Sequence, residues 1–185
     1  MMERGMNHRR YRKTEETILR VFFDENQKGI SMQKMAKKAG LGRSTMYTHH
    51  HAIREIIPDY ERYMLVEFQT IERRKMRVKN TQLRSLYLDL LLFILRNRKV
   101  FEMFLRYGDR NIYVMMIKKL ETKIINFARL PSNSEKLFAI YTNEVVGVIE
   151  GWGKSGFSEN EVEKVLGDIM YLTETCRDRL MPICR

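Results

Sequence analysis

Cysteine is nearly missing from this chain: Cys176 and Cys184 are the two among 185 residues. A disulfide-stapled secreted scaffold uses more, and a zinc site built on paired CxxC spacing is excluded, so reduced thiols in a cytoplasmic protein are expected. Proline is almost as scarce, with three, and glycine reaches ten. That is too few turn formers for a β-sandwich or barrel. Long apolar runs are missing as well. The most apolar stretch, Leu86 to Leu95, contains Asp89 and lies between Arg84 and Arg96. It is too short to span a bilayer and reads as a buried helix, so no membrane partner is expected. The opening, Met1 to Lys13, is polar and basic with no apolar stretch behind it, so no signal peptide is expected.

Histidine is absent beyond His51, and the chain has no GxSxG, P-loop or dinucleotide-binding glycine pattern. An enzyme is therefore not expected, nor is a cofactor.

What the chain does have is order-forming composition, 44% hydrophobic and 31% charged, with a net charge of +11. The positive charge is concentrated early. Residues 1–80 hold 18 Lys and Arg against 10 Asp and Glu, and residues 81–185 hold 16 against 13. A basic surface attracts polyanions, nucleic acid among them.

Helical periodicity runs almost throughout, and no segment alternates like a strand. Tyr11–Glu25 sets Ile18, Leu19, Phe22 and Phe23 on one face. Ser31 is positioned to cap Met32–Ala39, and Gly40 to end it in the left-handed conformation. Arg43–His49 follows, then Ile53–Arg77 with Pro58 in its first turns. Leu83–Asn97, Val100–Tyr107, Ile112–Phe127, Ser134–Gly151 and Glu159–Leu180 complete the series. Ser158 with Glu161 has the spacing of a capping box. The expectation is an all-α protein of about nine helices. A three-helix head over residues 1–52, with a basic arm over 1–12 able to reach flanking phosphates, precedes a larger helical body over 53–185.

The informative stretch is Ile30 to Tyr47: helix, glycine turn, helix. Small Ala36 permits close approach, while Met35, Leu41 and Met46 would form the apolar hinge. The second helix presents Arg43, Ser44, Thr45, Tyr47, Thr48 and His49 on a polar outer face, suited to the major groove. Arginine can bind guanine O6 and N7 together, and hydroxyls reach phosphates or bases. The run His49-His50-His51 is not expected to hold a metal, because consecutive helical residues point about 100° apart.

Ser31, Met35-Ala36, Ala39-Gly40-Leu41, Thr45-Met46-Tyr47 and His49 together resemble the TetR family of transcriptional regulators. The resemblance implies that Gln33, Arg43 and Ser44 read bases, and that Ser31, Thr45, Tyr47 and His49 contact phosphates. His50 departs from the pattern, standing where the family usually has a buried Phe. Ala52 and Ile53 replace a usual Ser or Asn cap and a Lys that often grips the backbone.

The resemblance further implies a homodimeric repressor on a palindromic operator in double-stranded DNA, released by a small effector. The body's Met and aromatic side chains suit an apolar ligand, with Phe93, Phe104, Tyr107, Met115 and Met116 as candidate pocket residues. The last two helices are similar to the family's dimerisation pair, which makes Tyr141, Val145, Val148, Trp152, Val165 and Ile169 candidate interface residues. The segment Tyr141–Trp152 is also similar to the C-terminal region of TetR-like proteins related to dihydroxyacetone-kinase regulators. The alternative is a protein of this fold that acts as a co-activator through a protein partner, without an effector.

Overall fold

The computed structural model describes residues 2–25, 30–75, 83–128 and 135–180. Among these the secondary structure is entirely helical: α1 (Met2–Asp24), α2 (Met32–Lys38), α3 (Arg43–His49), α4 (Ile56–Lys75), α5 (Leu83–Arg96), α6 (Arg98–Arg106), α7 (Asn111–Ala128), α8 (Glu135–Lys154) and α9 (Val162–Leu180). Single 3-10 turns, Ile53–Glu55 and Glu159–Glu161, lead into α4 and α9. No helix among the described residues is long and apolar enough to cross a membrane.

The chain divides into two compact units, Met1–Met64 and Leu65–Arg185. The boundary between the units falls inside α4, about twelve residues beyond the expected position near residue 52. Helix α1 begins at Met2 and takes in residues 2–12 of the expected arm.

In the first unit, hereafter the head, Ile18, Leu19, Phe22 and Phe23 of α1 are buried with Met35 and Ala36 of α2, Met46 of α3, and Ile56, Tyr60 and Met64 of α4. Each fully buried side chain of this size contributes roughly 1.5–3 kcal/mol, enough to hold helices too short to persist alone in water. Pro58 is the third residue of α4, where its missing N–H costs no helical hydrogen bond.

In the second unit, the body, α8 packs along α9 and α7, and α5 packs against α9 and α7. Aromatic side chains fill the space between them. Phe93 lies 5.4 Å from Phe68 and 6.1 Å from Phe101, and Phe101 lies 5.5 Å from Tyr113, centroid to centroid. Asn97 ends α5 by donating from Nδ2 to the Phe93 carbonyl, at 2.8 Å.

The corner before α9 departs from the capping-box expectation. Ser158 makes no side-chain cap: the Glu161 amide that its hydroxyl would accept bonds to the Ser158 carbonyl at 3.2 Å, and the Glu161 carboxylate accepts from Ser155. The Ser158 carbonyl accepts from Trp152 Nε1 at 2.8 Å, and Phe157 follows Gly156 with φ of 50°, its ring buried 5.1 Å from Trp152. A bulky residue in the left-handed region costs on the order of 1 kcal/mol, and burial of the Phe157 ring offsets it.

Candidate nucleic-acid interface

Helices α2 and α3 owe their geometry to their ends. Ser31 adopts extended backbone, and its Oγ accepts from the Lys34 amide at 3.2 Å, as an N-cap should. At the other end of α2, the Gly40 amide bonds to the Lys37 carbonyl and the Leu41 amide to the Ala36 carbonyl, at 3.2 and 2.9 Å. This paired closure needs a left-handed residue between helix and turn, and Gly40 supplies it with φ of 65°. The same arrangement closes α6 at Gly108 and α8 at Gly156. Met46 alone on α3 is buried, fixing which face of that helix is left outside.

That outer face carries most of the residues expected to meet DNA. Ser31, Gln33, Arg43, Ser44, Thr45, Tyr47 and Thr48 are all exposed. The Arg43 guanidinium lies 5.7 Å from the Tyr47 ring centroid, which restrains a side chain that would otherwise sample many rotamers. Ser31 uses an oxygen lone pair for its cap, so its O–H is free to donate to a phosphate. Thr48 differs: its hydroxyl donates to the Ser44 carbonyl at 3.0 Å, which spends the one proton it could offer a phosphate. On α2, Lys37 is exposed, while Lys34 and Lys38 pair with Glu25, the latter pair holding the Glu25 carboxyl below its usual range.

His49 requires a correction. Its ring is turned inward, with Nδ1 against Glu15 Oε1 and one face stacked on Tyr11 at 4.4 Å. The side chain is 8% exposed, so it braces the head rather than offering itself to a phosphate.

Beneath α3 lies a cluster that motif matching misses. His50 is the residue that ends α3, its amide bonded to the Met46 carbonyl. Its Nε2 lies 3.0 Å from Glu15 Oε2 on α1, and its Nδ1 lies 3.2 Å from Asp59 Oδ2 on α4. Asp59 also accepts from Arg62 at 3.0 Å. Burial alone would raise the Glu15 carboxyl, but hydrogen bonds from His50 and His49 outweigh it and hold the group below its ordinary value. Burial likewise would lower His50, and Glu15 followed by Asp59 reverse this and raise it. Burial and the neighbouring Glu15 push Tyr11 up to about 12. The signal for Glu15 was present in the sequence: it sits one turn before Ile18 and Leu19 on the same helical face, and a carboxylate on a buried stripe demands a partner. Its partner is 35 residues away, so no local pattern names it. Among the described residues no group of His, Cys, Asp and Glu side chains is arranged to hold a metal ion.

In the body, the residues expected to form an effector pocket are placed differently. Phe93, Phe104 and Met116 are buried in the packed core, and Tyr107 and Met115 are half-buried. A cleft of about 390 Å³ does open between α7 and α8, lined by Val114, Lys118, Glu135, Phe138, Ala139, Thr142 and Asn143, but none of those five lines it.

The expected dimer residues also need correction. Tyr141, Val145, Trp152, Val165 and Ile169 are already covered by their own chain, and Val148 is half-covered. Regular helical spacing marks the covered stripe, and a partner would meet the opposite one. That opposite face of α8 carries Ile140, 56% exposed, with Gly147 and Gly151, and the exposed face of α9 carries Gly167 and Tyr171, the latter 69% exposed.

Comparison with known proteins finds no match: no family model, no curated protein and no solved structure corresponds to this chain.

Proposed function

We propose that this protein is a sequence-specific DNA-binding transcriptional regulator of the TetR type, a homodimeric repressor acting on an inverted-repeat operator. The observation that supports this most is α3 itself. Seven residues long, it commits Met46 to the core and leaves Arg43, Ser44, Thr45, Tyr47 and Thr48 exposed. With Met46 and His49 turned inward, the remaining outward residues are of the kinds that contact base edges and phosphates. The net charge of +11 favours approach to DNA.

In this reading Arg43, Ser44 and Gln33 face bases, while Ser31, Thr45 and Tyr47 face the backbone. Two heads in a two-fold dimer would enter successive major grooves, roughly 34 Å apart. The second copy would meet the uncovered faces of α8 and α9. There Ile140 and Tyr171 supply apolar surface, and a side chain added at Gly147, Gly151 or Gly167 would touch nothing within 4 Å in this chain. Glycine at such positions lets another backbone approach closely. The reading involves no catalysis and no cofactor, and repression by occupying a promoter requires no effector.

The test is selection of random duplexes by the purified full-length protein at moderate salt. Enrichment of an inverted repeat is expected. Binding shared equally by all sequences and lost steeply with salt would contradict it, as would failure to bind DNA without a protein partner.

A further inference from the structure

We propose that Glu15, His50 and Asp59 form a proton-dependent clasp that fixes the C-terminal end of α3 within the head, so that losing a His50 ring proton opens one of its two contacts and loosens that end. Its consequence for operator binding rests on the function proposed above; the clasp does not.

The argument begins with donors and acceptors. A carboxylate can only accept hydrogen bonds, and a neutral imidazole has one N–H and one lone pair. His50 places Nε2 at 3.0 Å from Glu15 and Nδ1 at 3.2 Å from Asp59, so both contacts are satisfied only when both nitrogens carry protons. Removing one proton turns a nitrogen lone pair toward carboxylate oxygen, and one of the two contacts must open. The ring is buried, so water does not readily replace the lost partner.

Against the burial that disfavours it, the charged ring is supported by a carboxylate from α1 and another from α4. Helix α1 contributes Glu15, with Tyr11 beside it. Helix α3 contributes His49, which shares the Glu15 carboxylate. Helix α4 contributes Asp59, itself held by Arg62, with Tyr60 and Tyr63 on the same segment. Glu15 thus ties two successive residues at the end of α3 to α1, and Asp59 ties the second of them to α4.

The position matters because His50 follows α3 directly. Tyr47 and Thr48 lie within the last turn before it, and their placement depends on where that turn ends. A head whose competent arrangement is only partly populated binds DNA more weakly by that fraction.

Two measurements on the full-length protein test this separately. The first needs no DNA. Ring nitrogen chemical shifts, followed from pH 5.5 to 9, should show His50 carrying both protons with a midpoint above the ordinary 6.5, moved downward by Asp59→Asn. The exchange rate of the His50 amide, corrected for its intrinsic pH dependence, should rise about tenfold across that midpoint. A His50 ring carrying a single proton at pH 6, or an amide indifferent to its titration, would overturn the clasp.

The second measurement uses a duplex enriched by selection. Its affinity should fall about tenfold from pH 6.5 to 8.5 for the wild type, and stay level for His50→Phe, which fills the site without a proton to lose. Asp59→Asn, which keeps the histidine, should shift the fall to lower pH and stands in should His50→Phe not fold. Equal pH dependence in wild type and both variants would overturn the link to DNA. Should no duplex be enriched, the DNA-binding reading fails, and the ring and amide measurements still decide the clasp.

Discussion

Each unit buries a polar network, and the two are built on different principles. In the head, Glu15, His49, His50 and Asp59 form a cluster of ionisable groups at the end of an exposed helix. In the body, Tyr87, Tyr141 and Thr173 join α5, α8 and α9 through neutral hydroxyls. Tyr87 and Tyr141 oxygens are 2.5 Å apart, Tyr141 and Thr173 oxygens are 2.5 Å apart, and Thr173 donates to the Ile169 carbonyl at 2.8 Å. Since Thr173 spends its proton on the carbonyl, Tyr141 donates to Thr173 and Tyr87 to Tyr141. The body's chain is complete in one protonation state and insulated by burial. The head's cluster, in the clasp proposed above, needs both ring protons of His50. Rigid support is built from groups that do not titrate near neutrality, and the adjustable cluster sits beside the surface proposed to meet a partner.

The largest expected effect falls on the head. Glu15→Ala leaves two histidines without their shared carboxylate and should cost about 3 kcal/mol, read as an earlier urea midpoint for the head. A loss under 0.5 kcal/mol, within the range of ordinary surface substitutions, would remove the distinction between the two networks.

Next comes Tyr141→Phe, which breaks the body's chain at its middle and strands the Tyr87 hydroxyl. About 1–2 kcal/mol is expected, with the pH dependence of stability unchanged near neutrality.

The pH profiles sharpen the contrast. His50 has its folded pKa above 6.5, so its contribution is complete below 6.5 and lost as pH rises through the folded value. Glu15 lies below its ordinary 4.5, so its contribution is present above 4.5 and lost as pH falls through the folded value. Head stability should therefore peak between these limits. In the body, burial pushes Tyr141 from 10.0 up to about 12 and Tyr87 well up, so their contributions are present below 10 and lost only above it. Hydrogen exchange resolved by unit would check this, and parallel profiles in the two units would break the comparison.

The smallest effect is local. Ser31→Ala should cost about 1 kcal/mol through the α2 cap, measured by thermal unfolding, with the histidine titration unmoved.

How much of this was legible in the sequence follows from the range of each interaction. The Ser31 cap, the Gly40 closure and the exposed face of α3 rest on residues within a few positions of one another, and their patterns are local. The all-helical class follows from apolar spacing for the same reason. The clasp was not legible because Glu15 and His50 meet only after α1 and α3 have packed. Spacing marked Tyr141, Val145 and Ile169 as a stripe without saying whether their own chain or another would cover it. Ser158 failed as a cap because the Glu161 amide went to the Ser158 carbonyl and Ser155 took the Glu161 carboxylate, competitions that spacing cannot rank.

The central claim, that the outer face of α3 reads DNA sequence, is tested most directly by Arg43→Ala. Affinities of wild type and variant should be measured by fluorescence anisotropy on the enriched duplex and on a shuffled duplex at the same salt. The wild type is expected to prefer the enriched duplex by on the order of 10³ or more, and the variant to lose about 1–3 kcal/mol of that preference while binding the shuffled duplex almost as before. Equal preference in both proteins would contradict the account and place sequence reading, if any, elsewhere in the molecule.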